Sequence, residues 1–296
     1  MPDLNYVVCC DSAGDLSLEE CRARNIATIP YKYTLGDKDC LDDLVSVTPE
    51  VFFKTMEDGA MTRTSQPNSE DYIKFWEPVL ENGKDIVHLC LSSGISGGIL
   101  SANVAKGLCG EKYPDRKIYV IDSLAASRGL GLFADKLADM RDGGKSAEEL
   151  YSWAEEHKLN LHHWFYTTDL KYFVRGGRVS KASGWVGSLL SICPLLHVDK
   201  DGHLTPVKKC RGKKAVMKAM IEMMEENAEN GDGYSEKCFI CHSARQQEAE
   251  EIAAKVEERY KNMNGKVHIG SIGPVIGAHT GPGTVALFFW GKKRTN

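Results

Sequence analysis

The chain has 296 residues, 42% hydrophobic and 26% charged, with a formal net charge of −4. These proportions are ordinary for a globular protein, give no basic footprint for nucleic acid, and contain no apolar run near the roughly 20 residues of a membrane span. The start, Met1-Pro-Asp-Leu-Asn, lacks the basic and apolar regions of a secretory signal, so a cytoplasmic protein of about two domains is expected.

In chain order, Asn5–Cys10 reads as a strand running into Asp11-Ser12, and Asn25–Tyr33 as a second strand. Thr48-Pro49-Glu50 starts a helix, with a hydroxyl N-cap and proline at the first helical position. Ser69-Glu-Asp-Tyr72 starts another, with acids where the helix dipole favours them. Strand Asp85–Leu91, a helix from Ser96, strand Lys117–Asp122 and helix Ser127–Arg141 follow, and Ser146-Ala-Glu-Glu149 is a capping box. Such alternation implies a parallel sheet with helices on both faces.

The second half differs. Trp164–Thr167 and Ile192–Val198 read as strands, and Asp199–Gly202 is a hairpin turn into His203–Cys210. Helix Ala182–Leu190 mixes small and large apolar residues, which suits the wall of a narrow tunnel or a tightly packed core. Helix Gly212–Asn230, strand Cys238–His242, helix Gln246–Asn262 and strands Val267–Ile272 and Thr284–Trp290 complete a mixed sheet. The expected fold is α/β in two domains. Residues 1–160 form a three-layer α/β/α parallel sheet and 161–296 a two-layer α/β mixed sheet, with a break near His157–His163.

Ten cysteines in a chain of this length do not suggest a disulfide scaffold. Cys238-Phe-Ile-Cys241-His242 matches a haem-attachment pattern, but it lies on a strand-like run and has no second cysteine pair nearby. Reduced, structural cysteines are expected, with no metal and no cofactor.

The chemistry is concentrated in polar, glycine-rich clusters: Asp11-Ser12, Thr64–Pro67, Ser92–Gly98, Asp122-Ser123 and Ile276–Gly283. Three directly follow strands of the first sheet, and ligands of open parallel sheets bind outside the carboxyl ends of the strands. Ser92, Ser93 and Ser96 precede a helix whose first N–H groups favour an anion. Gly94-Ile-Ser-Gly-Gly98 also fits a G-x-S-x-G nucleophile elbow, with His279 later in the chain, so a serine hydrolase built on Ser96 is the alternative. No acid stands out as the orienting partner of a triad. A binder of phosphorylated metabolites is a third reading. Arg178 could neutralise an anion or face solvent, and Lys208–Lys214 is a basic run at a helix start.

The ordered set Asp11-Ser12, Thr64-Ser-Gln-Pro67, Ser92-Ser-Gly-Ile-Ser-Gly97, Val120-Ile-Asp-Ser123, Arg175-Gly-Gly-Arg-Val-Ser180, Arg211-Gly-Lys-Lys214 and Gly277–Gly283 resembles the DegV family from end to end. That resemblance implies a non-enzymatic carrier of long-chain fatty acids, like the acyl carriers called FakB. Such a carrier buries the acyl chain at the junction of two domains and presents the carboxylate to a separate ATP-dependent fatty acid kinase for phospholipid synthesis. Matched residue by residue, it makes Thr64 and Ser93 the carboxylate ligands with His279 behind them. Ser65, Gly94, Ser96 and Thr280 surround them, and Arg211 lies on the kinase-docking side. Arg175 stands where a lysine is common in the family.

Overall fold

A computed structural model of the chain describes residues 5–179 and 192–296. The expected helix Ala182–Leu190 lies outside the described residues. Strands β1 (Tyr6–Asp11), β2 (Ile26–Ile29), β6 (Asp85–Cys90) and β7 (Ile118–Asp122) form a parallel sheet in the order β2-β1-β6-β7. A small antiparallel sheet has the order β4-β3-β5, from β3 (Lys32–Leu35), β4 (Lys38–Leu41) and β5 (Thr62–Ser65). The third sheet is mixed. It contains β8 (Leu161–Thr167), β9 (Ile192–Val198), β10 (Leu204–Arg211), β11 (Cys238–His242), β12 (His268–Ser271) and β13 (Thr284–Trp290), in the order β10-β9-β8-β13-β11-β12. Only β11 and β12 pair in parallel within it.

The helices are α1 (Leu18–Ala23), α2 (Pro49–Glu57), α3 (Ser69–Glu81), α4 (Gly98–Lys112), α5 (Arg128–Asp142), α6 (Ala147–His157), α7 (Lys171–Arg175), α8 (Lys213–Asn227), α9 (Gln246–Arg259) and α10 (Pro274–Thr280). The expected caps form: Thr48 accepts from the Val51 N–H ahead of Pro49, and Ser146 and Glu149 close a capping box. Among the described residues, no helix is long and apolar enough to cross a membrane.

Alternation along the strands divides the core. Cys9, Ile86 and Cys90 face α3 and α4, against Tyr72, Trp76, Ala102 and Ala105. Their neighbours Val8, Cys10, Val87 and Leu89 face the other way, into a cluster that continues through α5 to Phe165, Phe288 and Trp290. Helix α5 therefore lies between the parallel and mixed sheets, with 11 of its 15 residues buried. Two glycines let it approach both sides closely. A Cβ on Gly131 would sit 2.5 Å from the Gly14 carbonyl oxygen, and one on Gly129 would sit 2.2 Å from His163 Nε2. Helices α8 and α9 cover the opposite face of the mixed sheet. The α/β architecture with a parallel and a mixed sheet is as expected, but α5 is a shared layer that makes the core continuous across both.

Several boundaries differ from the sequence reading. The single strand expected over Asn25–Tyr33 is two strands in different sheets, because Pro30 lacks the N–H needed to continue the ladder. The helix expected from Ser96 starts at Gly98. Strands β4 and β5 and helices α1, α7 and α10 have no counterpart in the sequence reading, being runs of four to seven residues. The mixed sheet begins at Leu161, inside the expected break. Cys238 and Cys241 lie three residues apart on β11 and so point to opposite faces, where they cannot share a ligand. All ten cysteines are free.

Candidate functional site

A cavity of about 330 Å³ lies between the two larger sheets, within the range of small-molecule sites. Tyr31, Leu91, Ala126 and Ser127 reach it from segments that follow β2, β6 and β7, at the carboxyl edge of the parallel sheet. The face of the mixed sheet supplies His163 and Phe165 from β8 and Thr284, Ala286 and Phe288 from β13, alternate residues pointing the same way. Ile272, just before α10, and Val275, Ile276, His279 and Thr280 along one side of that helix also line it. The walls are thus largely aliphatic and aromatic.

One end is polar. Thr64, Ser65 and Gln66 arrive on the small antiparallel sheet, and Thr64 Oγ1 lies 2.8 Å from His279 Nε2. Ser96 Oγ lies 3.4 Å from Gln66 Oε1 and 3.4 Å from the Tyr31 hydroxyl, and accepts from the Gly98 N–H at 3.2 Å. Arg178 lines the same cavity. Its guanidinium donates to the carbonyls of Ile95 at 3.2 Å and Gly176 at 2.7 Å. Among the described residues these partners are carbonyls, which leave the positive charge able to attract an anionic ligand.

A buried carboxylate holds this end in place. Asp11, fully buried, accepts from the hydroxyls of Tyr31 and Tyr72 at 3.0 Å each and from the Leu91 N–H at 2.7 Å. Trp76 Nε1 donates to His88 Nδ1 at 3.3 Å, which leaves the His88 proton on Nε2, 3.1 Å from Asp11. Among the described residues, Asp11, His88 and Cys90 alone bring three possible ligand atoms within 4.8 Å of one another. Yet both Asp11 oxygens already have donors, and burial pushes the Cys90 thiol well up. The trio is a hydrogen-bonded support under Tyr31, and through it Ser96.

Burial, reinforced by the charges of Arg178 and Arg175, pushes His279 down to about 4. The ring is therefore neutral near pH 7. The sign of its contribution to stability follows. The unfolded chain takes up this proton near 6.5 and the folded chain only near 4, so stability is full above that window and falls as pH drops through it. Relative to a His279→Asn variant, the wild-type protein should lose about 2–3 kcal/mol between these limits, partial exposure trimming the larger figure. Urea titrations of both proteins at several pH values check this. A constant difference between them would refute it.

The structure sorts the expected site residues. Thr64, Ser65, Ser96, His279 and Thr280 all line the cavity. Ser93 does not. It is exposed, and its backbone N–H donates to Asp122 Oδ1 at 3.1 Å. Gly94 is also outside the lining and packs on Gly202 of the β9–β10 hairpin, where Ser92 Oγ donates to the Gly202 carbonyl at 2.8 Å. The loop turns between Ser92 and Gly97, so neighbouring serines diverge: Ser92 to the hairpin, Ser93 to solvent, Ser96 to the cavity. Arg211, at the end of β10, is exposed. It lies seven residues from the cavity-lining Leu204, about 23 Å along an extended strand. Tyr31, Gln66 and Leu91 were not singled out from sequence, although Gln66 sits inside the Thr64–Pro67 motif. His279 lies on the short helix α10.

A hydrolase site does not assemble. His279 Nε2 faces Thr64 rather than Ser96. Its Nδ1 faces the Gly176 backbone, so close that a Cβ there would sit 2.6 Å away, and among the described residues no carboxylate orients the ring. Ser96 also lacks the positive φ of a strained elbow.

The chain is similar to known proteins along nearly its whole length. A DegV domain-containing protein of Clostridium perfringens is 36% identical over 290 residues, 98% of each chain. A solved structure described as a fatty acid (stearic acid)-binding protein from Eubacterium ventriosum is 26% identical. It matches with a TM-score of 0.85, over 96% of this chain and 97% of that one. The Streptococcus pneumoniae Fatty Acid Kinase B3 protein, solved with linoleic acid, shares the fold at a TM-score of 0.83 and 22% identity, over 98% of this chain and all of that one. The family model described as "Uncharacterised protein, DegV family" matches residues 5–292, and the chain belongs to that family.

Proposed function

We propose that this protein binds a long-chain fatty acid, with the acyl chain in the cavity and the carboxylate at its polar end. One observation carries the reading: a mostly apolar cavity ends in Thr64, Ser96 and neutral His279, beside an arginine whose partners among the described residues are carbonyls. In the tautomer with its proton on Nε2, His279 would donate to Thr64 Oγ1 and free the threonine hydroxyl to donate to a carboxylate oxygen. Ser96 supplies a second hydroxyl and Arg178 the charge. Burying a 16-carbon chain is worth on the order of 12 kcal/mol at about 0.8 kcal/mol per methylene, before ordering costs. Such a ligand survives purification.

Residues 1–160 and 161–296 are the two domains of this reading, with the ligand at their junction. The protein carries the acid rather than transforming it. A separate ATP-dependent kinase phosphorylates the presented carboxylate, a partner supported by the motif resemblance to acyl carriers of fatty acid kinase systems. Arg211 and the exposed Lys209, alternate residues of β10 that share one face, offer a basic surface for docking it.

Denaturing extraction and mass spectrometry of the purified protein should give close to one fatty acid per chain. Protein that carries none, and that fails to bind added palmitate or oleate, overturns the proposal.

A further inference from the structure

Beside the cavity described above lies a second one, of about 430 Å³. Neighbouring residues of two segments line opposite sides of the wall between them. Ser127 lines the first cavity and Arg128 the second. Ile272 and Val275 line the first, while Gly273 and Pro274 between them line the second. One hydrogen bond crosses this thin wall: Ser127 Oγ, from the first cavity, donates to Asp15 Oδ2, from the second.

That bond is not what the local chain would form by itself. Ser127 is the N-cap residue of α5, where a serine ordinarily takes extended backbone and accepts an N–H of the first turn. It makes no cap bond, and its φ of +54° and ψ of −149° lie in a region left mostly to glycine. The hydroxyl instead meets Asp15 and, at 3.3 Å, Cys241 Sγ. Such backbone strain persists only where the surroundings hold it. Here buried Arg128 is the brace, donating to the Asp15 carbonyl at 3.2 Å and to Glu20 Oε2 at 2.9 Å. Burial pushes the Asp15 carboxyl up to about 8, so near pH 7 the wall presents no carboxylate charge to an apolar chain.

The wall stands away from the polar end. Asp15 packs on Gly273, where a Cβ would sit 2.7 Å from Oδ1, and Gly273 is the N-cap residue of α10. His279 lies near the other end of that helix, about 9 Å along its axis. A chain whose carboxylate lies by Thr64 and His279 therefore runs past Ile276 and Val275 toward the wall. Beyond it, the second cavity offers apolar surface from Leu16, Leu44, Val47 and Pro274.

We infer that Ser127 and Asp15 form a stop that sets the longest acyl chain the protein accepts, by closing the acyl cavity off from the second one. The inference rests on the fatty-acid reading above and adds its length limit. Methylenes that reach the wall have to fold back into packed space, which is unfavourable in the way of any overfilled core. With the stop removed they pass into the second cavity, along Leu16 and Pro274.

The test measures binding of palmitate and the longer behenate to delipidated proteins, by competition against one fluorescent fatty acid. Wild-type protein should bind behenate about tenfold more weakly than palmitate. In an Asp15→Ala/Ser127→Gly variant the ratio should fall to about one. Asp15→Asn, which keeps the shape and an acceptor for the Ser127 hydroxyl, should retain the wild-type ratio. The ratio is read within each protein, so a general loss of affinity moves both acids together. Should the double variant fail to fold, Ser127→Gly alone, with a residue suited to that backbone, must at least halve the ratio. Equal binding of the two acids by wild-type protein overturns this inference alone, and so does a tenfold ratio that persists in the variants. Failure to bind either acid overturns the fatty-acid reading with it.

Discussion

A Thr64→Val/Ser96→Ala variant should bind palmitate about a hundredfold more weakly than wild type, while Ser93→Ala should change affinity less than twofold. Hydrogen bonds to a charged group are worth roughly 1.5–3 kcal/mol each, and each 1.4 kcal/mol is tenfold. Two bonds at the low end of that range, fitting for an end of the cavity that is only partly buried, give the hundredfold figure. Valine in place of Thr64 keeps the shape and removes both the bond to His279 and the donor offered to the ligand. Alanine at 96 removes the hydroxyl held by Tyr31 and Gln66. Ser93 is exposed and outside the cavity lining, so its hydroxyl has no ligand to lose. Titration of delipidated proteins with a fluorescent fatty acid, competed by palmitate, measures all three. An effect of Ser93→Ala as large as that of the double variant would mean that the loop is arranged differently.

Gly94→Ala should destabilise the protein by about 3 kcal/mol, the upper part of the range for overpacking. An alanine Cβ would sit 2.5 Å from both the carbonyl carbon and oxygen of Gly202, and 2.8 Å from the Asp201 oxygen. These are backbone atoms of a tight hairpin, and they cannot rotate away as a side chain would. Gly202 itself has φ +79°, a conformation suited to glycine, and Ser92 Oγ rests against it. The clash therefore pries the loop after β6 from the β9–β10 hairpin, one of the places where the first half of the chain meets the second. The urea midpoint should fall with the m-value unchanged, the signature of lost stability without a change in surface exposed. An unshifted midpoint would show that the two loops separate at no cost.

Much of the architecture was legible because it repeats a short-range rule. Strand and helix alternation announced the parallel sheet, and Thr48-Pro49 and Ser146–Glu149 marked helix starts by side chains that satisfy the first N–H groups. Pro30 is equally local: a residue without an N–H ends one strand and lets the chain join another sheet. Strands β4 and β5 and helix α10 lay below what periodicity can detect, since runs of four to seven residues take their structure from what they pack against.

The candidate site divides the same way. Sequence by itself determined which residue types were available, where the polar clusters fell relative to the strands, and the family to which they point. Only the tertiary structure decided which of three nearby serines faces the cavity, that His279 pairs with Thr64 across 215 positions of chain, and that Ser127 turns its hydroxyl to Asp15 rather than capping its own helix. Composition and spacing act between near neighbours. The direction of a side chain from an irregular loop, and the partner it meets there, depend on how α5 and the sheets pack around it.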